Sequence, residues 1–272
     1  MANRYMRLDK FLSNLGYASR KEIKSYLKKE AVTVNGQIIR DSSYDIDPNN
    51  DVVTFFDDPV FYKEKVLLML NKPKGYLSSN VDEVYPSVLN LFPLKYRRLG
   101  LNVAGRLDQD TTGLLLVTND GVLLHNIISP NKEVDKTYLV TTQFSIKDET
   151  ELMNEMTLLD GNDKPYKTKA KRIKKIDSNH LELTICEGKF HQVKRMIEKI
   201  DNQVTDLKRI QIGALVLPPD LKEGEFKEIE LKDIFSWIYK IACSKHTELI
   251  IIFALNDIIK WLEILYKLWI EH

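Results

Sequence analysis

The sequence predicts an α+β fold made of two units. The first observation is a pattern of two helices and a hairpin in residues 1–60, close to the lower size limit of an independent domain. The second is a mixture of apolar strands and helical segments in residues 65–233, without the regular βαβ repeat of a doubly wound sheet. We therefore expect a small α/β unit followed by a larger domain with a mixed or antiparallel sheet.

In the first unit, apolar residues recur at i, i+3, i+4 and i+7 from Leu8 to Leu15, which predicts an amphipathic helix. Ser19 and Glu22 form a capping-box pattern, which predicts the start of a second helix. The dipeptide Asn35-Gly36 separates two short strand-like segments and predicts a tight hairpin. Residues 57–60 are interpreted as a linker to the second unit.

Short apolar runs predict buried strands in the second unit. The predicted strands are 66–70, 114–118, 138–142 and 181–186, and the predicted helices are 121–128, 148–156 and 191–200. Residues 234–272 predict an apolar helical extension with one narrow polar stripe. We interpret this extension as a helix packed on the body or in a homodimer. Attachment to a membrane surface and a mis-assigned reading frame are alternatives, while its charged residues argue against a membrane span.

Composition excludes several classes of protein. Hydrophobic residues make up 43% of the chain and charged residues 29%, which is unlike a disordered protein, a collagen or a disulfide scaffold. Cys186 and Cys243 lie far apart and match no metal-ligand spacing, so we expect buried thiols in a reducing, cytoplasmic compartment. The first residues lack the apolar segment of a secretory signal.

Charge is distributed unevenly along the chain. Residues 1–40 contain nine basic and three acidic side chains, whereas residues 41–60 are acidic. A basic face is therefore hidden within a total net charge of only +1. On the second predicted helix Lys21, Lys24 and Lys28 fall near one another on one side, although a merely solvated helix face is the alternative interpretation.

Two carboxylates, Asp108 and Asp110, lie in a Gly- and Thr-rich loop directly before a predicted buried strand. A loop supported by a rigid strand is a common place for a catalytic group, so Asp108 is a candidate nucleophile or base. The pair also suggests a glycosidase, because residues two apart on an extended strand lie about 6–7 Å apart. A loop whose side chains only satisfy backbone donors is the third interpretation. These residues alone leave all three open.

The run Gly105–Leu115 resembles the signature of the pseudouridine synthases that modify ribosomal RNA. Three other segments resemble further motifs of this family, in the same order: residues 70–76, 136–138 and 187–196. The N-terminal unit resembles the S4-like RNA-binding module that often precedes the catalytic domain. The resemblance covers residues 1–233, and residues 69–73 and 110–113 look most like the small-subunit type.

This resemblance implies that the chain isomerises one uridine of 16S ribosomal RNA, of the position 516 type, by base flipping. The substrate would be 16S ribosomal RNA or a small-subunit assembly intermediate. The reaction leaves the sum formula unchanged, so no cofactor and no metal are implied. A synthase acting on the large subunit and a non-catalytic ribosome assembly factor with the same fold are the alternatives. The resemblance implies nothing about oligomeric state.

The resemblance also implies roles for individual residues. Asp108 corresponds to the essential aspartate, and attack on a sugar carbon, on the C2′ proton or on the base all stay open. Lys194, or in second place Arg195, would be its cationic partner, with phosphate contact as the alternative role. Tyr138 would stack on the uracil and assist proton transfer at C5. Arg106 would hold the place of the flipped nucleotide or bind a phosphate.

The remaining candidate residues would contact RNA. His191 has no partner at metal-ligand spacing, so it is interpreted as a loop or RNA-contacting residue. The basic side chains of the S4-like unit would bind phosphates, with an affinity that falls as salt rises. They are Arg7, Arg20, Lys21, Lys24 and Lys28.

Overall fold

A computed structural model describes residues 5–128 and 134–230 of the chain. Its N-terminal unit has two helices and two small sheets, in which β1 pairs with β4 and the other strands follow the order β3-β2-β5-β6. In chain order the elements are β1 (Met6–Arg7), α1 (Leu8–Asn14), α2 (Arg20–Lys28), β2 (Val32–Val34), β3 (Gln37–Ile38), β4 (Asp45–Ile46), β5 (Val53–Phe55) and β6 (Asp58–Pro59).

Local sequence signals determine where these elements begin and end. The capping box at the start of α2 is confirmed: the Ser19 N–H donates to the Glu22 carboxylate at 2.9 Å, and the Glu22 N–H donates to Ser19 Oγ at 3.3 Å. Asn35 and Gly36 both have positive φ, 51° and 78°, as a two-residue hairpin turn requires. The predicted helix pair and hairpin are therefore confirmed.

The interpretation of residues 57–60 as a linker is wrong. Phe56 and Asp57 adopt left-handed backbone angles, with φ of 50° and 64°, and turn the chain back on itself. The following strand β6 then pairs with β5. Pro59 is tolerated there because β6 is the last strand of its sheet. Residues 58 and 59 thus belong to a hairpin of the first unit and not to a linker.

The second unit is built on a nine-stranded mixed sheet. Its main strand order is β13-β14-β10-β15-β9-β7-β17, with β16 paired to β15 and β8 paired to β9. The strands of this unit are β7 (Leu67–Lys72), β8 (Asn102–Ala104), β9 (Thr112–Thr118), β10 (Lys136–Thr142), β11 (Met156–Leu159), β12 (Pro165–Thr168), β13 (Arg172–Lys175), β14 (His180–Ile185), β15 (Val204–Ile212), β16 (Leu215–Val216) and β17 (Phe226–Glu228). Strands β11 and β12 form a separate hairpin. In the large sheet β9 and β15 pair in parallel, whereas the other pairs are antiparallel.

Three α-helices accompany the strands of the second unit in the described residues: α3 (Leu94–Arg97), α4 (Gly121–Ile128) and α5 (Gln192–Glu198). The helical stretch predicted near 148–156 is confirmed only in part, because the segment forms a short 3-10 helix at Glu149–Met153 and then enters β11. The Asp148 side chain accepts a hydrogen bond from the Thr150 N–H at 2.8 Å. Leu152 alone is buried in this segment, so it lacks an apolar stripe that would sustain a longer helix.

The central strands β7 and β9 are buried along their whole length. Leu68 and Leu70 belong to one hydrophobic cluster, while the alternating residues Leu67 and Met69 belong to a second cluster. Alternation of a strand's side chains between two covered faces explains why these segments are continuous apolar runs. The loop between β8 and β9, which carries Asp108 and Asp110, therefore stands on the most buried part of the sheet.

Aromatic and cationic contacts join the two units. The rings of Phe11 and Tyr62 meet edge to face at 5.3 Å, and the Arg98 guanidinium lies 3.8 Å above the Tyr17 ring. The predicted helical extension at 234–272 and Cys243 lie outside the described residues. In the part of the chain that the structure describes, no helix has the length and apolar character needed to cross a membrane.

Gly113 provides a test of the sheet geometry. Its φ is +101°, and a Cβ atom at this position would overlap the carbonyl oxygen of Arg209, its parallel partner on β15. We expect Gly113→Ala to destabilise the protein by about 2–5 kcal/mol, since backbone strain and overpacking add. Thermal or urea unfolding measures this loss.

Gly121→Ala is the matched control, because nothing lies within 4 Å of the added methyl group. It should change stability by less than about 1 kcal/mol. Equal stability of the two variants would contradict the close approach of β9 and β15.

Candidate active site

A cavity of about 750 Å³ opens above the central sheet. Three separate segments bring side chains to its wall: Arg106 and Asp108 from the loop before β9, Tyr138 from β10, and His191 and Lys194 from the start of α5. Segments distant in sequence thus converge on one site. The structure brings together the three residues predicted to act in catalysis, Asp108, Tyr138 and Lys194.

A turn fixes Asp108. The Thr111 N–H donates to the Asp108 carbonyl oxygen at 3.1 Å, which closes the turn. The Lys72 ammonium lies inside it and donates to the carbonyl oxygens of Asp108 at 3.0 Å, Gln109 at 3.3 Å and Thr111 at 2.8 Å. The Gly75 N–H also donates to the Gln109 carbonyl oxygen. One buried cation therefore organises the backbone that carries Asp108.

Lys72 is completely buried, and its positive charge is stabilised mainly by main-chain oxygens. Burial lowers the pKa of Lys72 to about 8, although the nearby charges of Asp108 and Asp110 act in the opposite direction. Sequence reasoning quoted this lysine within a family-like motif but gave it no role. A lysine that directly continues the apolar run of β7 was the available signal.

Two side chains, Lys194 and His191, flank the Asp108 carboxylate. Lys194 Nζ lies 3.6 Å from Asp108 Oδ2, and His191 Nε2 lies 3.6 Å from Asp108 Oδ1. The same Lys194 Nζ donates to both Asp110 oxygens, at 2.7 and 2.8 Å. The glycosidase interpretation assumed an extended strand, whereas Asp108 and Asp110 lie in a turn and share one lysine. The assumption behind that interpretation is therefore wrong.

The start of α5 is held in place by Gln192. Its buried amide donates to Thr168 Oγ1 at 2.9 Å and to the Glu187 carboxylate at 3.0 Å, and its oxygen accepts from the Lys189 N–H at 3.0 Å. His191 has a left-handed backbone with φ of 52°, and its ring stacks on Phe190 with centroids 3.7 Å apart. These contacts orient His191 and Lys194 toward the cavity.

Arg195 lies away from the wall of the cavity. Its guanidinium donates to the carbonyl oxygens of Leu159 and Asp160 and lies 5.2 Å from the centre of the Phe190 ring. These contacts tie α5 to β11. Arg106, by contrast, is exposed on the cavity wall, where its side chain is accessible to a ligand.

Tyr138 and Arg209 form part of the floor. Tyr138 is only 7% exposed and pairs through its backbone with Arg209, which in turn pairs in parallel with Gly113. Arg209 Nε donates to the Leu114 carbonyl oxygen at 2.8 Å. Sequence reasoning missed Arg209, because an alternating segment such as β15 gives no sign of which side chains face a cavity.

Two further ionisable groups line the site. Lys136 donates to the carbonyl oxygens of Val134 and Cys186, and burial lowers the pKa of Lys136 to about 8. Burial and the neighbouring Asp135 carboxylate raise the pKa of the half-buried Cys186 thiol to about 11. Across residues 5–128 and 134–230, no cluster of three or more potential metal ligands is present.

The predicted basic face of the N-terminal unit divides into two groups. Lys21, Lys24 and Lys28 are exposed along α2. Arg7 and Arg20 instead donate to the fully buried Asp9 carboxylate, at 2.9–3.1 Å. Burial alone would raise the pKa of Asp9, but the hydrogen bonds from both arginines lower it below its usual value. The two arginines are thus held in fixed positions near the basic helix.

Comparison with known proteins gives a consistent result for both units. Residues 66–199 match the RNA pseudouridylate synthase family, and residues 6–52 match the S4 domain. The chain is 42% identical over 235 residues to the RNA pseudouridine synthase YtzG of Bacillus subtilis, which covers 84% of this chain and 97% of that protein.

Two further relatives extend the comparison. Ribosomal small subunit pseudouridine synthase A of Yersinia pestis is 37% identical, with 85% of this chain and 97% of that protein covered. The crystal structure of a pseudouridylate synthase superposes with a TM-score of 0.56 at 36% identity, covering 85% of this chain and 98% of the other. The chain therefore belongs to the RNA pseudouridylate synthase family, a family of isomerases, and carries an S4 domain before its synthase domain.

Proposed function

We propose that this protein converts one uridine of 16S ribosomal RNA, of the position 516 type, to pseudouridine. The convergence of Asp108, Tyr138 and Lys194 on one cavity carries this proposal. The N1–C1′ bond of the uridine breaks and a C5–C1′ bond forms, while a proton leaves C5 and N1 gains one. Atoms and electrons balance within the nucleotide, so the reaction consumes no co-reactant.

The size of the cavity suits a nucleotide that has left the RNA stack. Small-molecule sites commonly enclose about 300–1,000 Å³, and this cavity of about 750 Å³ falls within that range. Extruding a base costs a few kcal/mol, which contacts to the flipped nucleotide must offset. Exposed Arg106, beside Asp108 at the cavity wall, is placed to bind a phosphate or to fill the vacated position in the stack.

Asp108 supplies the reacting carboxylate. Its side chain is 29% exposed and borders the cavity, so a bound nucleotide can reach it. Lys194, 3.6 Å away, favours the ionised carboxylate after the entering base displaces water. Electrostatic groups that are oriented before the substrate arrives cost no reorganisation during the reaction.

Tyr138 provides the flat surface for the base. Its ring lines the cavity on the rigid strand β10, and its hydroxyl can relay the proton that leaves C5. Because β10 lies between β14 and β15, the ring has little freedom to move away. A stacked base therefore stays near Asp108 while it rotates.

The choice of 16S ribosomal RNA rests on relatives. Several proteins 37–38% identical to this chain are named ribosomal small subunit pseudouridine synthase A, among them those of Haemophilus influenzae and Escherichia coli. The S4 domain, with its exposed lysines on α2, would supply phosphate contacts that do not depend on sequence. An assembling small subunit, with RNA still accessible, is the substrate we infer.

The first test uses purified protein with 16S RNA, 23S RNA and partly assembled small subunits, followed by mapping of pseudouridine. We expect one modified position in 16S RNA. Asp108→Asn should lower the rate about 1,000-fold or more while RNA binding persists, because the reacting carboxylate is lost.

Asp201→Asn is the control for this substitution, since Asp201 is exposed and its φ of 53° suits asparagine equally well. Modification of 23S RNA instead of 16S RNA would show that the substrate belongs to the large subunit. RNA binding without any modification would favour an assembly factor and overturn the proposed reaction.

Lys72 gives a second prediction. Lys72→Met keeps an apolar stem but removes the ammonium from the Asp108 turn. We expect kcat to fall about 100-fold, because a shift of about 1 Å in a reacting group has an effect of this size. Steady-state kinetics compare the Lys72 variant with Lys74→Met, which removes an exposed ammonium that pairs with Asp206. Equal activity of the two variants would remove Lys72 from its organising role.

The basic helix gives a third prediction. The double variant Lys21→Glu/Lys24→Glu should weaken RNA binding and make it less dependent on salt. Each lost phosphate contact reduces the slope of log K against log salt by about 0.7–0.9. Filter binding at several salt concentrations measures the slope, with Lys164→Glu/Lys199→Glu as a control of equal charge on the other domain. An unchanged slope in the first variant would show that RNA does not contact this face of α2.

A further inference from the structure

Asp110 has no part in the proposed reaction, yet it makes a short ion pair with Lys194, a residue of the cavity wall. Lys194 Nζ lies 2.7 and 2.8 Å from the two Asp110 oxygens but 3.6 Å from Asp108. We propose that Asp110 is a positioning residue, which holds Lys194 near Asp108 but out of hydrogen-bonding contact with it. This inference rests on the proposed function, because it assigns a task within the same site.

The distances separate two kinds of interaction. Charge-assisted hydrogen bonds measure about 2.7–2.9 Å, which matches the pair with Asp110 and not the longer approach to Asp108. In the described parts of the chain, no donor makes a hydrogen bond to the Asp108 carboxylate oxygens. Asp108 thus receives the electrostatic effect of a cation while its oxygens stay accessible to a substrate.

The backbone makes this arrangement rigid. Asp108 and Asp110 belong to the same turn, whose carbonyl oxygens bind the buried Lys72 ammonium. Lys194 comes from α5, which Gln192 fastens to its surroundings. The turn and α5 are therefore both fixed, and the flexible side chain of Lys194 lies between them. Asp110 determines which carboxylate oxygens the Lys194 ammonium contacts.

Exposure and charge fit this task. Asp110 is 59% exposed and Lys194 is 20% exposed, so the pair lies at the rim while Asp108 faces the cavity. Burial is the largest single influence and raises the pKa of Asp110, but the hydrogen bonds and charge of Lys194, together with a backbone hydrogen bond, leave the pKa below its usual value. The Asp110 carboxyl group is consequently ionised at neutral pH.

Removing the Asp110 charge would release Lys194. Its ammonium would then close the remaining distance and donate directly to Asp108, the charged acceptor 3.6 Å away. A direct hydrogen bond would occupy an oxygen that has to react and would lower its nucleophilicity. The expected loss is in the chemical step and not in RNA binding.

The test measures kcat and KM on the RNA substrate for Asp110→Asn and Asp110→Glu. We expect Asp110→Asn to lower kcat about 10- to 100-fold with KM within about twofold of the wild type, as for a misplaced catalytic group. Asp110→Glu keeps the charge and should restore most of the activity. Glu155→Gln is the matched control, because it breaks a 2.6 Å pair with Lys167 outside the cavity and should change neither constant.

A double-variant cycle decides whether Asp110 acts through Lys194. In a Lys194→Gln background, Asp110→Asn should have no further effect on kcat, because the shared ammonium is already absent. The proposal would be overturned if Asp110→Asn lowered kcat by the same factor in the Lys194→Gln background as in the wild type. So would an Asp110→Asn protein that loses its cooperative thermal transition, or equal losses in the Asn and Glu variants, because each indicates a purely structural role.

The cycle also separates this inference from the proposed function. A wild-type protein that forms no pseudouridine on any ribosomal RNA would overturn both. An active wild type with independent Asp110 and Lys194 effects would overturn the role of Asp110 alone.

Discussion

The ammonium group of Lys72, enclosed by main-chain carbonyl oxygens, is the constraint on which the site depends. It binds the backbone of the turn that carries Asp108. This turn places the carboxylates of Asp108 and Asp110 next to Lys194. An unpaired cation in a protein interior is costly, so this arrangement persists only while the turn keeps its shape. A change that distorts the turn would therefore destabilise the buried charge of Lys72 and also displace the reactive carboxylate of Asp108.

The segments that resemble the family motifs are the segments that contact one another around this turn. Residues 70–76 supply the buried ammonium, residues 105–115 form the turn and the strand after it, and residues 187–196 provide the flanking side chains of His191 and Lys194. Residues 136–138 add the aromatic floor on a neighbouring strand. A chain with almost no net charge therefore concentrates opposite charges where the chemistry would take place, while the exposed lysines of α2 lie on the S4 domain.

Local signals in the sequence were sufficient for much of the fold. The capping box of α2, the Asn35-Gly36 turn and the apolar runs of β7 and β9 each depend on neighbouring residues, and the structure contains all of them. The strand β15 could not be recognised, and the segment Glu149–Met153 could not be distinguished from a longer α-helix, because their conformation depends on packing against distant strands. The same holds within the site: Asp108 was identifiable from its motif, whereas the hydrogen bonds of Lys72 and the sharing of Lys194 exist only in three dimensions.

The parallel pairing of β9 with β15 has a consequence for the order in which the protein matures. Leu114 and Arg209, which the pairing brings together, lie 95 residues apart. At about 5–20 residues per second, a ribosome needs about 5–20 s to make the intervening chain. The S4 domain can form long before that, since its strand pairings lie within the first sixty residues. During its own synthesis, the polypeptide thus acquires its RNA-binding module well before its catalytic centre can assemble.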